Sequence, residues 1–353
     1  MGSNPTLSAA GRGDEDIERR RHALTESLSR HWLLAVSLLL FMLVLAISFA
    51  SRESFSDRLA LFLRDEGIGG GVAAYGRIGS PPTLLAVGKA APDRTMRTDD
   101  RFRLASLAKP VTAAAVLRLV DEKRISLDTP VPEAGPGITV RHLLQHSGGW
   151  DRSIAGDPIG NPATVTDIGV SPPYDCMDIA KRLPPAQFRP GTRYAYSNIG
   201  YCWLGHIIEQ RTGQSYAQYV EREVLASRGA KLLYDGQPTV LHSGTWPQTA
   251  YPALGPGGGW VGTAGDYWRF AAGPLDAHVT ERPPYAQPDK DYYGLGWRVW
   301  PDGTLSHFGA IEGAFTMVVR KDDRVAVLLF NGRPANDEQA FRRLRALLAS
   351  EGI

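Results

Sequence analysis

Three short patterns in this chain carry residues that could do covalent chemistry together. Ser106 and Lys109 stand three apart in Ala105-Ser106-Leu107-Ala108-Lys109-Pro110, just ahead of Thr112-Ala113-Ala114-Ala115-Val116-Leu117, a strong helix former. That spacing predicts both side chains on one face at the start of a helix. A serine placed there can aim its backbone N–H at a developing oxyanion, while the lysine amine reaches its hydroxyl and takes the proton. Tyr196 and Asn198 stand two apart in Arg193-Tyr194-Ala195-Tyr196-Ser197-Asn198, so in an extended segment both face one side. A phenol beside cations can relay a proton, and a carboxamide can hold a substrate carbonyl. Ser306-His307-Phe308-Gly309-Ala310 reads as a strand ending in glycine, which lets a backbone N–H approach a reacting carbonyl closely. Each pattern is weak alone. With seven lysines in the chain, S-x-x-K arises by chance about half a time at ordinary serine usage. Ser106 alone could cap a helix, and Ser197-Asn198 could simply cap the next one.

The elements that would position these residues are legible at the two ends. Residues 54–66 place Phe55, Leu59, Phe62 and Leu63 on one helical face, with Gly67 as the stop. Residues 71–75 and 83–87 read as a hairpin turning at Gly79-Ser80-Pro81-Pro82, and 316–320 with 325–330 as a second one around Lys321-Asp322-Asp323-Arg324. A terminal helix is expected over 337–350. Helix, hairpin, middle, hairpin, helix predicts that the two ends build one antiparallel sheet. The middle reads as helical and loopy, with Ser215-x-x-Gln218 as a capping box. The stretches 151–175 and 233–262 are long, rich in Pro and Gly, and little periodic; loops of that kind usually line a binding site. They are expected to shape an acyl pocket, with Trp150, Tyr174, Trp246 and Trp260 as aromatic lining or as core.

Composition narrows the function classes. The chain has 353 residues, 43% of them hydrophobic and 22% charged, which argues against disorder and fibrous repeats. A net charge of +2 from 39 basic and 37 acidic residues makes nucleic acid a poor partner. Cys176 and Cys202 form no C-x-x-C pair, and His142 and His146, four apart, lack the glutamate of a zinc-protease helix, so a packed helix end is the simpler reading. No metal and no cofactor is expected. Residues 32–50 form a run of 19 without a charge, long enough at ~1.5 Å per residue to span a ~30 Å hydrocarbon core. A 31-residue lead ahead of it is long for a signal peptide. The expectation is an uncleaved single-pass anchor in the inner (cytoplasmic) membrane, after an N-terminal tail over 1–31. Arg19, Arg20, Arg21 and Arg30 favour an inside N-terminus, which puts 51–353 on the periplasmic or extracellular side. A Cys176–Cys202 disulfide is allowed there.

Taken in order, S-x-x-K, Y-x-N and H-x-G resemble the serine β-lactamase and penicillin-binding-protein-like superfamily. The match is to its class C-type branch of β-lactamase-related serine hydrolases, D,D-peptidases, D-aminopeptidases and EstB-like esterases. The likeness extends to Thr112 through Val131, to His142-Leu143-Leu144-Gln145-His146-Ser147-Gly148-Gly149, to Gly258-Gly259-Trp260-Val261-Gly262-Thr263-Ala264-Gly265-Asp266 and to Tyr293-Gly294-Leu295-Gly296-Trp297. It implies an α+β fold: an antiparallel sheet flanked by helices (about 53–120 and 265–353) with an inserted, mainly helical lobe (about 121–264). It also implies a Ser106 acyl-enzyme, with Lys109 and Tyr196 as the proton-transfer pair and His307 beside them. The backbone N–H groups of Ser106 and Ala310, next to Gly309, become the oxyanion donors, and Asn198 orients the acyl side of the substrate. Free lysine and tyrosine, at ~10.4 and ~10, hold the wrong proton at neutral pH, so either needs a shift of ~3 units, about 4 kcal/mol of environmental bias. Which of the two is the base stays open at this level.

Two readings from other classes compete. A Ser-His-Asp hydrolase lacks its G-x-S-x-G elbow here. A noncatalytic sensor of cell-wall ligands is opposed by the intact Ser106, Lys109 and Tyr196. The expected substrate is a small-molecule or peptide-like ester or amide. Phe308 departs from the penicillin-recognising pattern, which has a hydroxyl residue there to bind a carboxylate. The loss of such a charge-assisted bond lowers affinity by roughly 10–100-fold, and His307, with its ordinary pKa near 6.5, compensates poorly above pH 7. Neutral esters or amides are therefore expected over β-lactams or D-Ala-terminal peptides, unless Arg298 or Arg320 holds the carboxylate instead.

Overall fold

The structure is a computed structural model and describes residues 53–352, except 160–168, 172–173, 184–185 and 245–247, together with 19, 21, 31–32 and 36–42 nearer the N-terminus. The chain divides into two compact units, Met1–Ser54 and Phe55–Ile353. In the first, residues 36–42 are helical and expose Leu38, Leu39, Leu40, Phe41 and Met42. Among the described residues no helix is long and apolar enough to cross a membrane. Most of the expected span, 32–50, lies outside the described residues, as does Trp246.

The second unit is built on an eight-stranded antiparallel sheet in the order β3-β2-β1-β11-β10-β9-β8-β7. Its strands are β1 (Gly70–Arg77), β2 (Thr83–Ala91), β3 (Arg94–Thr95), β7 (Tyr292–Tyr293), β8 (Arg298–Val299), β9 (Leu305–Ile311), β10 (Ala314–Lys321) and β11 (Arg324–Phe330); β4 (Phe102–Arg103), β5 (Leu233–Tyr234) and β6 (Trp260–Gly262) form a small second sheet. The two expected hairpins thus meet in one sheet, where β1 pairs with β11 from Gly71 opposite Phe330 to Arg77 opposite Arg324. The two-residue period of the strands sorts the core onto two faces. Ala326, Leu328 and Phe330 of β11 pack with Phe55, Leu59, Phe62 and Leu63 of helix α1 (Phe55–Asp65) and with Phe341, Leu344 and Leu348 of the C-terminal helix (Asp337–Ser350). Val325, Val327 and Leu329 face the other way, into the larger cluster that carries the central helices. A sheet covered on both faces needs central strands without polar alternation, and 325–330 is buried throughout.

The helices that matter to the site are α2 (Ala108–Asp121), α3 (Val140–Leu144), α4 (Cys176–Arg182), α5 (Asn198–Thr212) and α6 (Tyr216–Val220). Ser215 and Gln218 make the expected capping box on α6. Cys176 at the start of α4 is bonded to Cys202 in α5, with Cα atoms 5.8 Å apart. One expectation needs correcting: β9 does not end at Gly309 but runs on to Ile311, pairing Gly309 with Thr316 of β10.

Candidate active site

Ser106 sits in a single 3₁₀ turn, Ala105–Leu107, that leads straight into α2. The turn is pinned from three sides. The Leu104 carbonyl accepts from Thr316 Oγ1 of β10 at 2.8 Å, the Leu104 N–H donates to the Trp260 carbonyl of β6 at 2.9 Å, and the Leu107 carbonyl accepts from the buried Tyr267 hydroxyl at 2.7 Å. Ala105 is held at φ +49°, a conformation that costs a residue with a Cβ energy, and such strain persists only where the surroundings over-determine it. Gly309 explains how β9 comes so near. A Cβ there would lie 2.7 Å from the Ser106 backbone nitrogen and 2.6 Å from Thr316 Oγ1, so only glycine fits.

Lys109 stands one turn on and has no exposed surface. Its Nζ donates to Asn198 Oδ1 at 2.6 Å and to the Gly257 carbonyl at 2.8 Å, and lies 3.1 Å from Ser106 Oγ. The Gly257 carbonyl is fixed because Thr112, on the next turn of α2, donates to the neighbouring Pro256 carbonyl at 2.7 Å. Tyr196, in the extended lead to α5, donates its hydroxyl to Ser106 Oγ at 2.6 Å. The two candidate bases differ sharply in electrostatics. Burial brings the Lys109 ammonium down from 10.5 to about 7, with Asp157 pulling it up and Arg152 further down. Burial pushes the Tyr196 phenol the opposite way, well above its usual value, against the pull of its bond to Ser106. A neutral Lys109 amine keeps two N–H bonds, to Asn198 and Gly257, and its lone pair then points at Ser106 Oγ. The hydroxyl is set to donate to the amine while accepting from the phenol, an arrangement that can activate it as a nucleophile.

The other candidates divide. Asn198 opens α5, but its carboxamide is engaged on both sides, by Lys109 at Oδ1 and by Asp157 Oδ2 at 2.7 Å through Nδ2. His307 is buried on β9. It receives the Tyr293 hydroxyl at Nε2 and faces the Phe308 carbonyl from Nδ1, each at 2.8 Å, and burial with the nearby Lys109 charge lowers it to about 3, so it stays neutral. Ser106, Tyr196, His307 and Ala310 all border one cleft of about 990 Å³. Phe308 borders it too while packing its ring on Phe315 and Phe341, centroids 5.8 and 5.4 Å away.

Of the two readings left open for the aromatic residues the structure selects core for three, and the expectation for the loops is corrected in part. Trp150, Tyr174 and Trp260 belong to the core, and the cleft is lined instead by Tyr194, Tyr285, Tyr292 and Tyr293. Of the two long loops, 151–175 contributes Asp151, Arg152 and Ser153 to the lining, whereas 233–262 acts from behind through Gly257. Arg298 and Arg320 are both occupied. Arg298 pairs with Asp291 at 2.6 Å and Glu338 at 3.0 Å, and Arg320 donates to the Ala271 and Gly273 carbonyls at 2.6 Å. Asp157, Gly257 and His146 are site residues that spacing did not reveal; they sit 37 or more positions from both Ser106 and Lys109. Among the described residues no cluster of three or more His, Cys, Asp or Glu could hold a metal ion.

A sheet-and-helix body with a serine, a buried lysine and a tyrosine converging at its cleft defines an acyl-transfer class of site. The chain matches the family described as Beta-lactamase over residues 55–351, and it belongs to that family. Among curated proteins it is similar to the probable fimbrial assembly protein FimD, serogroup H1, of Dichelobacter nodosus, 33% identical over 36% of this chain and 34% of that protein. It is also similar to esterase EstB of Burkholderia gladioli, 34% identical over 48% of this chain and 47% of the esterase. The chain thus spans less than half the length of these relatives. Among solved structures, a penicillin binding protein from Bacillus halodurans shares the fold, with a TM-score of 0.69 at 24% identity over 82% of this chain and 99% of that one.

Proposed function

We propose that the protein is a membrane-anchored, extracytoplasmic serine hydrolase that cleaves ester or amide substrates through an acyl-enzyme on Ser106. The observation that carries this reading is the buried Lys109 amine within 3.1 Å of Ser106 Oγ, with Tyr196 on the other side of the same oxygen at 2.6 Å. In this mechanism Ser106 Oγ attacks the substrate carbonyl carbon as its proton passes to Lys109 Nζ. The carbonyl π-electrons move onto oxygen, which the N–H groups of Ser106 and Ala310 stabilise. Collapse re-forms the carbonyl and breaks the bond to the leaving group, which takes a proton from Tyr196; the Lys109 proton restores the phenol. Water then attacks the acyl-enzyme by the same path in reverse. Lys109 serves as the base because burial favours its neutral form, whereas the same burial disfavours a Tyr196 phenolate. His307 orients the floor as a neutral imidazole.

Neutral acyl groups are the preferred substrates in this reading. Phe308 supplies no hydroxyl, and the two arginines that could replace it, Arg298 and Arg320, already have partners. Arg152 supports the rival reading of an anionic, cell-wall-type substrate: its guanidinium lies 5.2 Å from the Tyr196 ring centroid and carries no ion pair among the described residues. Residues 32–50 anchor the chain in the inner membrane, and the Cys176–Cys202 bond is in keeping with an oxidising compartment outside it. The resemblance of its relative EstB in name supports an ester substrate first. A fluorophosphonate probe should label the wild type and not Ser106→Ala; equal labelling of both, or of neither, defeats the acyl-enzyme reading. Rates on p-nitrophenyl esters, D-amino-acid amides, D-Ala-D-Ala peptides and nitrocefin then rank the substrates, and fast nitrocefin turnover would overturn the neutral preference. Protease treatment of spheroplasts that leaves residues 51–353 intact would overturn the location.

A further inference from the structure

His146 lies behind Tyr196, away from the cleft lining, and is 2% exposed. Its backbone is held at φ +52°, uncommon for a residue with a side chain. The turn it occupies, just past α3, is tied to the strand-like segment that carries Tyr196. The Ser147 carbonyl accepts from the Gly191 N–H at 2.9 Å, and the His146 carbonyl accepts from the Ala195 N–H at 2.8 Å. The imidazole then adds two contacts of its own. Nδ1 accepts from the Ser197 N–H at 3.2 Å, and the ring lies 4.3 Å from the Tyr196 ring at an interplanar angle of 33°. On its other sides are the rings of Tyr293 at 4.4 Å and Tyr201 at 5.2 Å. Tyr293 is the residue that donates to His307 Nε2.

Because Nδ1 accepts a hydrogen bond, the proton of the neutral ring sits on Nε2, and Nε2 has no hydrogen-bond partner among the described residues. An unpaired buried polar atom works against the fold. If the position served packing alone, phenylalanine or leucine would fill it without that defect. What the imidazole supplies, and a hydrocarbon does not, is an acceptor for the Ser197 N–H directly beside a flat face for Tyr196. These two contacts bracket Tyr196 from the residue that follows it and from its own ring.

We infer that His146 is a positioning residue for the proposed hydrolysis, which fixes the Tyr196 ring and the Ser197 backbone so that the phenol reaches Ser106 Oγ. It touches neither substrate nor reacting atoms and acts through Tyr196. The inference deepens the reading of this site as a serine hydrolase, and its first test does not depend on turnover. Crystal structures of the full chain carrying His146→Ala, His146→Phe and His146→Asn report the distance from Tyr196 Oη to Ser106 Oγ. The Ala variant is expected to lengthen it past hydrogen-bond range, about 3.5 Å. Phe keeps the ring and Asn keeps an acceptor, so each should restore part of the geometry. Steady-state kinetics on p-nitrophenyl acetate form the second arm. A displaced phenol should lower kcat about 10–100-fold while KM stays within about 3-fold, because ~1 Å misplacements act on the chemical step. A role in stability alone would move the melting temperature and leave kcat of the folded enzyme unchanged. If the Ala variant does not fold, Phe and Asn decide: Tyr196 unmoved with wild-type kcat in both overturns the inference. A wild type that no fluorophosphonate labels, with Tyr196 displaced in the variants, defeats the hydrolase reading and leaves the positioning role standing.

Discussion

At the floor of the cleft, Lys109 is sealed from solvent and its partners Ser106, Asn198 and Gly257 come from three separate segments. At the rim, Arg193 faces Asp151 at 2.7 Å, and Arg333 faces Asp337 at 2.6 Å, with both arginines about half exposed. The distances are alike and the energetics are not. In water an ion pair is screened and contributes little. In the dry floor the same amine cannot hold its charge cheaply, and the protein turns that into a base available near neutrality. Short contacts at the rim therefore shape a surface, while those at the floor set a reactivity.

Removing the floor's base should have the largest effect. Lys109→Ala should lower kcat/KM on an activated ester by about 10⁴-fold or more, as loss of one member of a cooperating set does; acylation near the wild-type rate, followed by stopped flow, would rule out Lys109. Tyr196→Phe keeps the ring and removes the proton donor, with an expected loss in kcat of about 10²–10³-fold and little change in KM. A pH series sharpens the comparison without any mutation. The ammonium form of Lys109 cannot accept a proton, so kcat/KM should climb with pH through about 7 and level above it. At pH 5 it should stand about 100-fold below the plateau, one decade per unit. Linkage gives stability the same sign: between about 7 and the ordinary 10.5 the unfolded chain binds the proton that the fold releases, so this group makes unfolding harder as pH rises over that window. Lys109→Met should flatten that part of the urea-midpoint profile. Gly309→Ala should cost about 1–3 kcal/mol in chemical denaturation and about tenfold or more in kcat, since the new methyl meets the Ser106 nitrogen. The smallest effect belongs to the rim: Arg193→Ala should change kcat/KM on a small neutral ester by less than about 3-fold. A rim substitution that rivals Tyr196→Phe would erase the distinction between floor and rim.

The parts that could be read from the chain alone are those with short-range regularity. Phe55, Leu59, Phe62 and Leu63 announce α1 by period, and the unbroken apolar run over 325–330 announces a buried strand. Ser106 with Lys109 is legible for the same reason, since one helical turn fixes both. The environment of Lys109 is not local. Gly257 lies 148 positions away and Asn198 89, and no pattern in either segment points back at α2. The choice between Lys109 and Tyr196 as base was closed to spacing for that reason, because it depends on burial that only the assembled fold creates. The choice between lining and core for the aromatics was open on the same ground: Trp260 satisfies its indole N–H on the buried Tyr216 hydroxyl, a contact between distant segments. Asp157 and His146 likewise act on Asn198 and Tyr196 from segments whose composition reads as plain loop and helix end.

The Cys176–Cys202 bond bears on how the protein can be made. It ties α4 to α5 across a separation of 26 residues, on the helix that begins with Asn198, and Gly255, at the head of the turn that holds Lys109, lies against Cys176. In the chain-entropy account a loop of this size is worth about 3–4 kcal/mol. A recombinant host that keeps thiols reduced would deliver a chain with both of the Lys109 acceptors less firmly seated. Specific activity measured on such material would describe a loosened form, and its yield after an oxidising refolding step would become the first thing to establish.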